Sequence, residues 1–291
     1  MKKSILINLA LLLVVAALAL LVIFEPGIEG PKEQPSLLQF EREAVEHILI
    51  HRQGQPTIEL EREPGGTWQL LQPLKAAADD YRTDSLLRVT DTKSRSRFTV
   101  EKGGLADYAL DKPRVVLELN HTTRIAFGAQ TPLDQRRYVR LGDSDTVHLI
   151  NDTLYYHLIG TFPGYINKRP LPGDASIQAL TLPQLSLRWQ EKRWQVEPEP
   201  DNYSADRVTR LLDGWKYASA LSVEEYDGME GEPVSILLKG REAPLEFLLT
   251  AREPDFILAR PELGIQYRFP AESGEEMLSL PQPQSTQEPV E

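Results

Sequence analysis

The sequence predicts an α+β protein: an N-terminal transmembrane helix followed by two tandem, internally duplicated domains of mainly antiparallel sheet, each with about one covering helix. Three observations carry this expectation. A run of twenty residues, 5–24, apolar but for one member, stands near the N-terminus. A pattern of strands, one helix and more strands then occurs twice, beginning at Ile48 and again at about Ile177. Within each occurrence strands follow one another without intervening helices, which favours antiparallel pairing.

The apolar run has Asn8 as its sole polar member. At about 1.5 Å per residue it spans roughly 30 Å, the thickness of a bilayer's hydrocarbon core. Lys2 and Lys3 precede it and Glu25 and Glu29 follow. Retention of positive residues on the cytoplasmic side predicts an N-terminus facing in and the bulk of the chain outside. Ala17-Leu18-Ala19 matches a signal-peptidase site. Cleavage there would leave an apolar new terminus, so the expectation is an uncleaved anchor.

Beyond the anchor, residues 25–44 hold Pro26, Gly27, Gly30, Pro31 and Pro35 and read as a spacer. The first repeat domain is expected over 45–160, a connection over 161–175, the second domain over 176–280, and a polar, disordered tail over 281–291. In each copy alternating apolar residues come first: Ile58 and Leu60 in one, Leu180, Leu182, Leu185 and Leu187 in the other. A Trp-Gln strand follows and ends at a proline, with Trp68 and Pro73 matching Trp194 and Pro198. Helices are predicted over 83–93 and 204–221, the second carrying Val208, Leu211, Leu212 and Trp215 on one face with Ser204 as N-cap. Strands led by Pro113 and Pro233 come next, and Arg140 and Arg260 stand at equal distances beyond those prolines. Both repeated tryptophans are expected in the cores, because of the area they bury.

Composition narrows the chemistry. The chain of 291 residues contains no cysteine, which excludes disulfides, zinc–thiolate sites, cysteine nucleophiles and a lipidated cysteine. Its net charge of −11 disfavours both nucleic acid and anionic lipid headgroups as main ligands. His47 and His51 are four apart but flank a strand-like Ile48-Leu49-Ile50, too extended for a shared metal. Asp79 and Asp80 read as residues serving a helix N-terminus, and Gly103-Gly104 as a turn. No nucleophile elbow, phosphate loop or dinucleotide turn is present. Arg136, Arg137 and Arg140 form a small basic cluster in this acidic chain, either a solvated strand edge or a contact for an acidic partner. No catalytic residue, metal site or cofactor is expected.

Several segments together resemble a known family. They are the Trp68 to Pro73 strand, the helix with Asp84 near its start, and Gly104-Leu105-Ala106-Asp107-Tyr108-Ala109-Leu110-Asp111-Lys112-Pro113 leading into a Val/Leu strand. Ile125-Ala126-Phe127-Gly128, Tyr138-Val139 and Val147-His148-Leu149-Ile150 complete the set. This resembles the bacterial DUF4340 family across roughly 45–280. The resemblance implies an exported, membrane-attached protein of the bacterial inner membrane. It also implies a link to accessory parts of ABC-type, gliding-type transport systems, and supplies no catalytic residues. The resulting expectation is a non-enzymatic, periplasmic accessory or scaffold protein contacting integral membrane transporter subunits, with Asn8 available to bond a partner helix. The alternative is a periplasmic module holding a small or lipidic ligand between the two repeats.

Overall fold

The computed structural model describes residues 2–24, 34–101, 103–199 and 204–281. Residues 25–33 of the expected spacer and 282–291 of the expected tail lie outside these residues. The chain divides into two units, Met1–Pro35 and Ser36–Glu291.

In the first unit α1 (Lys2–Phe24) is a single helix, apolar from Ile5 onward except for Asn8. Its described side chains, Ile7 and residues 9–19, are all exposed and cover a shorter stretch. Among the described residues no helix is long and apolar enough to cross a membrane. The side chain of Asn8 lies outside the described set.

The second unit contains both copies. The first comprises β1 (His47–Arg52), β2 (Ile58–Arg62), β3 (Trp68–Gln72), β4 (Ala76–Ala77), α2 (Asp80–Leu87), β5 (Ser96–Thr99), β6 (Val115–Leu119), β7 (Thr123–Gln130), β8 (Arg136–Leu141), β9 (Thr146–Asn151) and α3 (Tyr155–Leu158). The second comprises β10 (Ile177–Leu182), β11 (Leu185–Gln190), β12 (Arg193–Glu197), α4 (Ala205–Lys216), β13 (Ser222–Glu225), β14 (Glu232–Leu238), β15 (Leu245–Ala251), β16 (Asp255–Arg260), β17 (Ile265–Pro270) and α5 (Ala271–Leu278). The sheet orders are β4-β3-β2-β1-β6-β7-β8-β9-β5 and β12-β11-β10-β14-β15-β16-β17-β13. With β4 set aside the two circuits are identical, and the pairs are antiparallel throughout.

One face of each sheet is apolar and joins a single continuous core. Ile48, Ile50, Leu60, Leu117, Ile125 and Phe127 supply it from the first copy, and Leu180, Leu187, Ile236, Phe247 and Leu258 from the second. The period-2 alternation of strands places these residues on one side. Helices α2 and α4 cover that side. Asp79 caps α2, its carboxylate accepting from the Arg82 N–H at 2.7 Å, and Asp80 opens the first turn. Ser204 holds the N-cap position of α4 without a side-chain capping bond. On α4, Val208, Leu211 and Trp215 are buried, and the Trp215 indole donates to the Met277 carbonyl at 2.7 Å.

Four expectations are revised. First, the spacer does not extend to residue 44. Leu37 and Leu38 are buried, Leu37 donates to the Thr92 carbonyl, and Arg42 pairs with Asp84. From Leu37 onward apolar side chains return and pack.

Second, the connection between the copies is itself part of the core. Pro163, Tyr165, Ile166 and Leu171 are buried. Asp79 donates to the Tyr165 carbonyl, Asn167 to Ala77 and Ala220 to Lys168. The segment thus runs between the β4 edge of one sheet and the short stretch leading into β13 of the other, its backbone bonded to both.

Third, only one of the repeated tryptophans is a core residue. Trp68 is buried, whereas Trp194 is partly buried near the end of its hairpin, edge-on to the exposed Trp189 at 5.5 Å. Finally, the helices are shorter than expected, with α2 giving way to a 3-10 turn at Arg88–Asp91 and α4 ending at Lys216.

Candidate functional site

The arginine cluster sits on β8, where alternation separates its members. Arg137 points to the main core. It donates to Asp152 through Nε and Nη2, both at 2.7 Å, and to the Gly128 carbonyl at 2.6 Å. Its guanidinium lies 3.5 Å from the centre of the Tyr155 ring. Both ion-pair partners are nine-tenths buried, so Arg137 is committed to the fold and is not a contact for an outside partner. Arg136 and Arg140 project from the opposite face, beside Tyr138, and lean on Asp134 and Asp143. The surface part of the cluster is therefore Arg136 and Arg140.

Equal sequence spacing also misaligns Arg140 with Arg260. Arg140 pairs with Ala126 and Val147 on the outer face, while Arg260 pairs with Ile265 and lies 5.8 Å from the Phe247 ring on the core face. Bulges interrupt both β7 and β15. One residue of slip exchanges faces completely. By strand register it is Val139, opposite Phe127, that corresponds to Arg260.

His47, His121, His148 and His157 each contact another side chain, whereas His51 is exposed. His47 and His51 are on strand β1, as the spacing implied. His47 contacts Glu59 at 2.9 Å and stacks on His121 at 3.8 Å. That grouping was not legible in sequence, because it needs the β1–β2 pairing and the turn after β6. His148 contacts the Ser94 hydroxyl at 2.9 Å; burial, with Arg97 nearby, lowers its pKa. Burial also lowers that of His157, assisted by Arg82 and Arg88. Among the described residues no group of three or more His, Asp or Glu is arranged to hold a metal.

Where the connection meets the first copy, Tyr165 is fully buried between two guanidinium groups. Arg52 and Arg82 lie 5.8 and 5.3 Å from its ring centre. The hydroxyl donates to the His157 carbonyl at 2.7 Å, and burial pushes its pKa up to about 12. Arg52 donates to the Gly160 and Pro56 carbonyls, and Arg82 to those of Gly164 and His157. These cations satisfy carbonyls that a loop would otherwise leave unpaired in the interior.

A cavity of about 660 Å³ opens between α4 and α5, lined in part by Arg210, Tyr217, Phe269 and Met277. It belongs to the second copy alone. At Gly103 the backbone turns with φ 98°, consistent with a turn.

These features define a tandemly duplicated antiparallel-sheet protein whose arginine and histidine clusters bind parts of the fold to one another. The chain belongs to the DUF4340 family, a domain of unknown function, whose profile matches residues 68–227, more than half of its length. The match begins at β3 and ends just beyond β13, crossing the boundary between the copies. No curated protein and no solved structure matches the chain.

Proposed function

We propose that this protein is a non-enzymatic scaffold held at the outer surface of the bacterial inner membrane by residues 5–24, serving as an auxiliary subunit of an ABC-type envelope transport complex. The observation that carries the reading is the use of polar groups inside the fold. Arg137 and Asp152 neutralise each other, Arg52 and Arg82 hold the connecting segment, and His47 and His148 have side-chain partners. A body built this way offers stable surface.

The anchor follows from the sequence of α1, an apolar stretch preceded by Lys2 and Lys3. Its orientation, N-terminus inside, follows from those lysines. The transport partner rests on the family resemblance. Arg136 and Arg140, on one face of β8, are the basic side chains nominated for contact with an acidic subunit.

Affinity purification of the full chain from membranes in mild detergent tests the proposal. Integral transporter subunits are expected to co-purify, and the Arg136→Glu/Arg140→Glu variant is expected to reduce their recovery. Recovery of the protein alone at native expression overturns the partner assignment. Extraction by alkaline carbonate, which leaves integral proteins in the pellet, overturns the anchor.

A further inference from the structure

The hairpin formed by β11 and β12 ends unlike its counterpart in the first copy. In the first copy Trp68 pairs across the hairpin with Arg62, whose guanidinium lies 5.1 Å from the indole and donates to the Glu43 carbonyl. Trp68 is buried there. In the second copy Trp194 pairs with Trp189, an indole 49% exposed. The turn joining them places Glu191 and Lys192 at positive φ, 51° and 64°, as a two-residue hairpin turn requires. All six residues from Arg188 to Arg193 except the tryptophan are polar, and all six are exposed.

The charge at this tip opposes that of the molecule. Arg188, Lys192 and Arg193 stand against one carboxylate, Glu191, in a chain of net charge −11. Most arginines of the second copy engage a carboxylate or a carbonyl, as Arg252, Arg260 and Arg268 do. Arg188, Lys192 and Arg193 have no such partner among the described residues. The exposed Trp189 indole, backed by the partly buried Trp194 and ringed by unpaired cations, matches a headgroup layer, where tryptophan's amphipathic ring partitions and cations meet lipid phosphates.

We propose that the β11–β12 tip is a membrane-surface contact that docks onto anionic phospholipid. The inference rests on the anchor reading above. The eleven residues 25–35 reach at most about 40 Å when fully extended, so an anchored body stays within range of the bilayer. The remaining acidic surface is repelled by anionic lipid, which leaves this tip to set the side of the body that faces it.

The full chain, reconstituted into liposomes carrying acyl chains brominated near the headgroup, tests this by quenching of tryptophan fluorescence. The buried Trp68 and Trp215 serve as internal references. Quenching is expected in vesicles containing phosphatidylglycerol and to fall at least twofold in pure phosphatidylcholine. Trp189→Phe/Trp194→Phe is expected to remove the quenchable component, and Arg188→Gln/Lys192→Gln/Arg193→Gln to remove its dependence on phosphatidylglycerol. Incorporation into liposomes without quenching in either lipid overturns the contact while sparing the anchor. Failure to incorporate overturns the anchor and the contact with it. Shielding of Trp189 from an aqueous quencher in native membranes, absent in pure lipid vesicles, assigns the tip to a protein and overturns the lipid assignment.

Discussion

The two copies share one strand circuit and one core, yet they treat the outer faces of their sheets differently. In the first copy, Val100 and residues 103–110 fold over that face. Val100, Leu105, Tyr108 and Leu110 pack on Val116, Ala126 and Val147 as a second, smaller core. In the second copy only residues 226–231 join β13 to β14, and nothing comparable covers Leu237, Leu248 and Ile257, which are half-buried. There the outer face carries a charged network instead, with Arg268 donating to Glu224 at 2.9 Å and to Asp255 at 2.7 Å. One architecture thus accepts either an apolar cover or a polar finish. The choice follows the length of a single connection.

A second difference lies inside the shared core. By register, Arg137 opposite Ile150 corresponds to Leu258 opposite Tyr267, and Asp152 corresponds to Phe269. Leu258 and Phe269 are fully buried. The first copy fills these positions with an ion pair and the second with apolar side chains. Breaking a buried pair strands a charge, whereas replacing both members by apolar groups leaves none.

The largest expected effect tests that contrast. Arg137→Ala leaves the Asp152 carboxylate buried and unpaired, and is expected to cost about 3–5 kcal/mol in urea unfolding. The double variant Arg137→Leu/Asp152→Leu, which imports the chemistry of the second copy, is expected to recover most of that loss. Equal loss in both variants would show that the two sites are not interchangeable.

Next in size is Gly128→Ala. A Cβ there would stand 2.2 Å from the Tyr108 carbonyl and 2.9 Å from Leu110, both in the covering segment. The corresponding residue of the second copy is Leu248, tolerated because its outer face is open. The substitution is expected to cost about 2–3 kcal/mol by thermal or urea denaturation. Hydrogen exchange is expected to rise first in residues 100–112, and a uniform rise would argue against a separable cover.

Acid distinguishes the copies more gently. Hydrogen bonds from Arg268, with a further one from Ser222, hold the Glu224 carboxyl at about 2, below its ordinary 4.5. A depressed carboxylate stabilises the fold above its unfolded pKa. That contribution is lost as pH falls from about 4.5 toward 2. Solvent screening limits it to about 1 kcal/mol, because both partners are about one-third exposed. Glu224→Gln is expected to flatten this limb of the stability profile.

The smallest effect belongs to the first copy. His148, its pKa lowered by burial and by Arg97, favours the neutral ring in the folded state. Its contribution is present above the ordinary 6.5 and is lost as pH falls through the lowered value. Exchange near β9 is therefore expected to increase in mild acid, before the Glu224 network yields. Insensitivity of β9 in that range, followed by NMR of the His148 ring, would remove the distinction.

Much of this comparison was legible from local sequence. The repeated Trp-Gln strands, the two proline-led strands and the Val208, Leu211, Trp215 stripe identified the duplication and both covering helices. They are short-range signals, set by side-chain periodicity and backbone restriction. The candidate arginines were legible as a cluster but not as a surface, because membership of a face depends on strand register. The strand register, invisible in spacing, puts Arg140 and Arg260 on opposite sides.

The sequence by itself determined the apolar character of α1, the two-copy organisation and the antiparallel sheets, since each rests on periodicity within a few residues. The tertiary structure decided what no periodicity encodes. It buried Arg137 against Asp152, laid residues 103–110 over one sheet and left the other open, and bonded the connecting segment to the backbone of both copies. Those outcomes depend on contacts between residues distant in sequence, where the pairing partner supplies the charge, the cover or the hydrogen bond.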